Sequence, residues 1–369
     1  MNRLFRWDQM GLFLLALAAG ILPFAVPEVC AAALREGLTL CSGPLLLSLF
    51  PFLVVSRLLI QCPESDLLAL PFRLAAWGIG IRTPCAARVL CIGFLGGFAP
   101  AASAAAQAVR TGQLTAEEAD ALLPACICSG PSFVVLTVGQ SLLGSAELGV
   151  LLFASQITAN YLTAALLNRF AGVRSVKPRS AAPASPAPPR LDEILADAAI
   201  TYCKLCGFIL FFRMLAAGAG ALLPAGAGTL CAILLEVCSG CDLASRTGRW
   251  GSLLCCAALS VQGLSVLLQV RTICPPEMTL RPLYRSRMLH LPLSLALFYL
   301  LLPGGEADVF STLSARVLLM RRVPPDCALL VFAVCCMAAC TLRSGIRQVE
   351  QKQMARNAGG CCINSKTLL

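Results

Sequence analysis

The sequence predicts an all-α polytopic membrane protein, with about eight transmembrane helices and two re-entrant hairpins in two inverted halves. Three observations lead there. Hydrophobic residues make up 58% of the 369 positions and charged residues only 13%, with a mean hydropathy of +0.79. A soluble domain carries roughly a quarter charged residues, so the solvent for most of this surface is lipid. The charges are also spaced by membrane-length gaps. Nineteen uncharged residues separate Asp8 from Glu28, and twenty separate Glu36 from Arg57. Further charge-free windows run Val89–Val109, Ala121–Ala146, Leu148–Asn168, Met214–Leu235, Trp250–Val270 and Met288–Gly305, with a shorter one at Cys327–Leu342. A spanning helix needs about 20 apolar residues at 1.5 Å each. A soluble amphipathic helix would show a polar face every few residues, and these windows show none. Finally, glycine and proline gather inside two of the apolar stretches, where they break helices.

The elements follow in chain order. Gln9–Pro27 reads as a span leaving the cytoplasm. Arg3 and Arg6 before it would also suit a cleaved signal peptide, but Asp8 and the many later spans favour a retained anchor. Arg35 and Glu36 mark a helix at the outer surface, and Gly43–Ser56 returns. Residues 1–37 thus form an anchor and outer-surface segment, and 38–170 a first repeat. Val89–Ala108 centres on Gly93, Gly96, Gly97 and Pro100, too interrupted for a full span. Broken backbone survives at membrane depth only where protein or a water cavity covers it, so this reads as a hairpin entering from the cytoplasm. Thr115 and Glu118 have capping-box spacing and open a short interfacial helix. Ile127–Leu143 goes out and Leu148–Leu167 returns.

Residues 171–190 form a linker. Pro178, Pro183, Pro186, Pro188 and Pro189 forbid a helix interior, and Arg174, Lys177, Arg179 and Arg190 face no acid. The positive-inside rule makes it cytoplasmic. The second repeat, 191–302, has Leu205–Leu223 going out. A second hairpin, Gly226–Gly240, enters from outside, Gly251–Val270 returns and Met288–Leu302 goes out. Residues 303–345 hold a final span, Cys327–Leu342, and 346–369 a basic tail; both termini are then cytoplasmic in a bacterial cell membrane.

Composition also excludes function classes. The net charge of +10 lacks a basic stripe interleaved with aromatics, so no nucleic-acid partner is expected; Lys and Arg flank spans instead. The 21 cysteines lie mostly within apolar windows as small packing residues. Cys203/Cys206 and Cys238/Cys241 have CxxC spacing but no histidine to complete a metal or redox site. No cofactor or metal is expected. An enzyme would need a constellation of His, Asp or Cys–His residues, and none is legible; the chain reads as a non-enzyme.

Candidate substrate-binding residues carry two readings each. Glu236 is either a membrane-depth contact for a solute or proton or a hydrated hairpin tip. Arg213, mid-span, either pairs with Glu236 or snorkels to the interface. Ser129, Gly130 and Pro131, with Ser239 and Gly240, either expose backbone groups at helix breaks to a ligand or kink helices for packing. Gln262, with Ser260 and Ser265, either binds solute or joins helices. His290, the only histidine, shares a helix face with Arg287 at a cytoplasmic interface.

At these segments the chain resembles a known family. Leu49-Phe-Pro-Phe-Leu-Val-Val-Ser-Arg-Leu-Leu-Ile60, Gly112-Gln-Leu-Thr-Ala-Glu-Glu-Ala-Asp-Ala-Leu-Leu123 and Ser129-Gly-Pro-Ser-Phe133 come first. Leu234-Leu-Glu-Val-Cys-Ser-Gly240, Leu259-Ser-Val-Gln-Gly-Leu-Ser-Val266 and Arg281-Pro-Leu-Tyr-Arg-Ser-Arg-Met-Leu-His290 follow. In that order they resemble the YlbJ family of sporulation integral membrane proteins, within the broader nucleoside-recognition (Gate) family, over roughly Leu38 to Leu302. The resemblance implies an endospore-forming Gram-positive source, a role in spore cortex formation and a transporter-like core for a small solute, nucleoside-like or ionic. A non-transporting structural or assembly factor of the forespore and mother-cell membranes is the alternative. The chain departs from the family at Gly97-Phe98-Ala99-Pro100-Ala101-Ala102, where Gly-Tyr-Pro-x-Gly-Ala is usual.

Overall fold

A computed structural model describes residues 7–61, 65–171 and 190–302. The expected span Cys327–Leu342, the basic tail, Arg3, Arg6 and residues 172–189 of the linker lie outside them. Among the described residues the chain is all helix, with no strand. In order these are α1 (Trp7–Ala25), α2 (Pro27–Ser42), α3 (Pro44–Gln61), α4 (Ser65–Leu68), α5 (Leu70–Gly78), α6 (Pro84–Gly96), α7 (Phe98–Arg110) and α8 (Ala116–Cys126). A π-helix (Ser132–Leu142) precedes α9 (Ala146–Ala171) and α10 (Leu191–Leu222). Then come α11 (Ala225–Leu235), α12 (Val237–Ser245), a 3₁₀ turn (Gly248–Trp250), α13 (Gly251–Val261), α14 (Gly263–Ile273) and α15 (Arg281–Leu301). Proline opens several of them, at Pro27, Pro44 and Pro84. There its missing N–H would have had no partner anyway.

Four stretches are long and apolar enough to cross a membrane: Pro27–Ile60, Ala146–Ala171, Leu191–Leu222 and Gly248–Ile273. Their surroundings match. Phe13, Phe24, Leu74, Phe170, Tyr299 and Leu300 are all exposed, a burden of large apolar side chains that water would not tolerate in one patch. Inside, the pattern reverses. Ser155, Gln156, Asn160, Thr163, Ser260, Gln262, Ser286, Arg287, His290 and Ser294 are buried. The chain is an all-α, multi-pass membrane protein with a polar centre.

The structure corrects the expected path in several places. Residues 28–42 do not stand apart as a separate segment. Instead, α2 and α3 run antiparallel to α10 along its length. A Cβ on Gly37 would meet Leu210; Tyr202 donates to the Cys41 carbonyl at 2.5 Å, and Arg57 pairs with Asp197. The stretch long and apolar enough to cross a membrane is Pro27–Ile60, longer than the expected Gly43–Ser56, with a bend at Gly43. Arg35 and Glu36 are tolerated in it because both stay exposed and Glu36 has a cation across the interface.

Helix α8 is likewise no interfacial helix. Its capping box forms as expected, with the Glu118 amide donating to Thr115 Oγ1 and the Thr115 amide to Glu118, each at 3.1 Å. Beyond Asp120, however, every residue to Cys126 is buried. Its acids sit in the first two turns, Glu117 exposed and the two buried ones partnered: Thr83 donates to Glu118 at 2.6 Å, and the Thr279 and Leu280 amides donate to Asp120 at 2.8 and 3.1 Å. The rest is free to insert. Of two further expected spans, Gly251–Val270 is interrupted at mid-length by Gln262, and Ile127–Leu143 begins in a break that separates it from α8.

Candidate functional site: four helix breaks around a polar centre

Four interruptions meet in the interior, and each has a local cause. At Gly97, between α6 and α7, the backbone takes φ 80° and ψ −163°, a region open essentially to glycine alone. A Cβ there would also lie 2.7 Å from the Gly130 amide nitrogen. The partner of this break is the non-helical run of residues 127–130, which ends where Pro131 opens the next helix. Proline has no N–H and its ring clashes with the carbonyl four residues back, which here is that of Ile127. That carbonyl accepts instead from Asn160 Nδ2 at 3.3 Å and Arg287 Nη1 at 3.4 Å.

The other two breaks form a second touching pair. Glu236, between α11 and α12, is extended (φ −152°, ψ 126°) and 2% exposed. Its carboxylate accepts from the Cys238 and Ser239 amides at 2.8 and 2.7 Å, and from the Ser239 hydroxyl at 2.9 Å. It thus caps α12 with its own side chain, where the helix dipole favours a negative charge. Gln262, between α13 and α14, is left-handed at φ 67°, and Gly263 follows at φ 71°. A Cβ on Gly263 would come within 3.0 Å of the Glu236 nitrogen, so the two breaks pack backbone to backbone. Ser129 then links the pairs, because Gln262 Nε2 donates to its hydroxyl at 3.4 Å and to the Leu259 carbonyl at 2.6 Å.

Arg287 and His290, from α15, complete the centre together with Gln156 and Asn160 from α9. The Arg287 guanidinium donates to the carbonyls of Ile127, Ser260 and Pro124 at 3.4, 3.4 and 3.5 Å, and to Asn160 Oδ1 at 3.0 Å. These carbonyls belong to the C-terminal ends of α8 and α13, each worth about half a negative charge. Among the described residues, helix ends therefore hold this buried cation without a carboxylate. His290 Nε2 lies 3.2 Å from the Gln156 carbonyl. Four acceptor-capable atoms in this interior have no hydrogen-bond partner among the described residues: Gln156 Oε1, Gln262 Oε1, Thr163 Oγ1 and His290 Nδ1. Gln156, Gln262 and His290 are 2% exposed or less.

Of the expected site residues, Ser129, Gly130, Pro131, Glu236 and Gln262 do converge here. Ser239 serves the Glu236 cap. Gly240 packs against α11, where its Cβ would lie 2.8 Å from Ile233 Cα. Of the two readings of Arg213, pairing with Glu236 is not the one formed: Arg213 Nη2 binds Glu36 at 2.7 Å, because α2 lies alongside α10 and brings an exposed carboxylate closer. Arg287 and His290 are not interfacial, since α15 is buried along the face that carries them. The sequence reading missed Gln156 and Asn160. Their signal is the spacing Gln156, Asn160, Thr163 inside an uncharged window, with Ser286, His290, Ser294 repeating it on α15: one polar stripe each on otherwise apolar helices.

What the fold and site define is a class, helical membrane proteins with discontinuous helices around a polar interior. Comparison with family models, curated proteins and solved structures gives no match.

Proposed function

We propose that this chain binds a small, uncharged polar solute at its four helix breaks and passes it across the membrane by alternating access. The observation that carries the reading is the convergence of two like units. Each is a helix–break–helix hairpin, α6–α7 or α11–α12, whose break touches that of a second discontinuous helix, α8–π-helix or α13–α14. Paired discontinuous helices are the usual construction of midplane sites in transporters with inverted repeats. Counting spans outward from the basic linker would put the first hairpin on the cytoplasmic side and the second opposite, which would make the two units inverted. The N-terminal anchor, about eight spans in all and cytoplasmic termini complete the proposal.

The chemistry favours a neutral ligand. Arg287 is saturated by carbonyls and Glu236 by amides, which leaves amide oxygens, a hydroxyl and an imidazole nitrogen to recognise hydrogen-bonding groups, as on a nucleoside. A role in spore formation rests on the family resemblance alone. The test is uptake into liposomes carrying the purified chain, with labelled nucleosides and inorganic ions as probes. Solute flux that Gln262→Leu abolishes while the variant still inserts supports transport. If no probe moves, and cells lacking the chain regain their phenotype with Gln262→Leu, the chain is an assembly factor.

A further inference from the structure

A cleft of about 230 Å³ opens away from the polar centre, lined among others by Arg57 of α3, Ser103 and Arg110 of α7, Asp197, Thr201 and Lys204 of α10, and Thr272 of α14. Arg57 is 8% exposed. Its guanidinium pairs with Asp197 and donates to Ser103 Oγ and Thr201 Oγ1, both at 3.4 Å. Arg110 and Lys204 are exposed and have no ion pair among the described residues. Three cations against one carboxylate leave +2 (3 − 1) on the walls. The C-termini of α7 and α14 also end here and return about one negative charge between them. The cleft stays positive by about one.

Position matters as much as sign. Helix α7 runs from the Gly97 break to Arg110, about 20 Å, and α14 from Gly263 to Ile273, about 15 Å, at 1.5 Å per residue. Half of a hydrocarbon core is about 15 Å. With the breaks near the midplane, the cleft therefore falls at headgroup level, on the side of the 172–189 linker. We propose that this cleft is an anion site for a phosphate group, held by Arg110, Lys204 and the free hydroxyl hydrogen of Ser103. Arg57 supplies the positive back wall and keeps Asp197 neutralised. Guanidinium and ammonium with a hydroxyl are the ordinary donor set for phosphate oxygens. A phosphate bound here bridges α10 to α7, and its source is either an acidic phospholipid headgroup or a soluble phosphate.

The test reads binding alone and does not depend on transport. The full chain is purified in detergent and offered phosphatidylglycerol or phosphatidylcholine, with retained lipid counted by native mass spectrometry. Inorganic phosphate is titrated separately against the melting midpoint. Arg110→Gln/Lys204→Gln is compared with Arg281→Gln/Arg285→Gln, an equal loss of charge from exposed positions on α15. Lys204→Gln alone stands in if the double variant melts abnormally. We expect the cleft pair to weaken binding at least about ten-fold, with the control pair unchanged. Retention of phosphatidylglycerol without a phosphate effect assigns the site to a lipid headgroup; an effect of both probes assigns it to soluble anions. If neither probe binds, or if both variant pairs weaken binding equally, the site does not exist and these cations merely face an anionic surface.

Discussion

At Gly97 the backbone conformation and the approach of Gly130 both exclude a side chain, whereas a Cβ on Gly130 would find nothing nearer than 3.5 Å. The two glycines face each other, yet only one is required. Gly97→Ala should destabilise the protein by about 2 kcal/mol or more, and Gly130→Ala by well under half of that, as read by thermal unfolding in detergent. Equal effects would mean that the break is not held as described. Arg287 makes a second residue-scale case. Replacing it by Met recovers the cost of burying a charge but leaves the carbonyls of Pro124 and Ser260 short of a partner, at about 1–3 kcal/mol each. A net loss of about 2 kcal/mol is expected for Arg287→Met, and a smaller one for Arg287→Lys, which keeps a donor. Gln262 differs in kind. A buried, left-handed glutamine with an unpartnered Oε1 holds strain that packing alone does not need, so its loss should show in function rather than in stability.

Discontinuity is the organising feature at the scale of elements. The α8–π-helix break depends on one ring. Pro131→Ala restores an N–H where the Ile127 carbonyl lies four residues back, and lets the helix run through. Amide exchange over residues 127–131 should slow by about ten-fold or more if that hydrogen bond forms; unchanged exchange would show that Arg287 and Asn160, rather than Pro131, keep the segment open. The long α10 behaves oppositely. Its 32 residues rise about 48 Å, more than a hydrocarbon core, and its first turns carry Asp192, Glu193, Asp197 and Lys204 beyond the expected start at Leu205. Charge-free windows located the lipid-buried part of such a helix and not its ends, because a helix has no reason to stop where lipid stops.

For the molecule as a whole, the proposed alternating access predicts that the centre opens to one side at a time. A water-soluble thiol reagent should reach Cys238, in the second hairpin, only when solute or mutation shifts the chain from the form described, and should never reach Cys255 or Cys256, packed at 0% exposure between helices. Reaction of all three at the same rate would argue for general unfolding rather than gating. The all-helical class, the membrane setting and the places where helices break near Gly97 and Glu236 were legible from spacing alone. Hydropathy reports one dimension, the residence of each residue in lipid or out of it, and Gly–Pro density reports where a helix must break. Which breaks touch, why Arg213 finds Glu36, and how Gln156, Asn160, Arg287 and His290 come together depended on helix rotation and neighbour choice. Those are settled by packing between segments over a hundred residues apart, as with Gln156 and Ser260, and no local pattern encodes them.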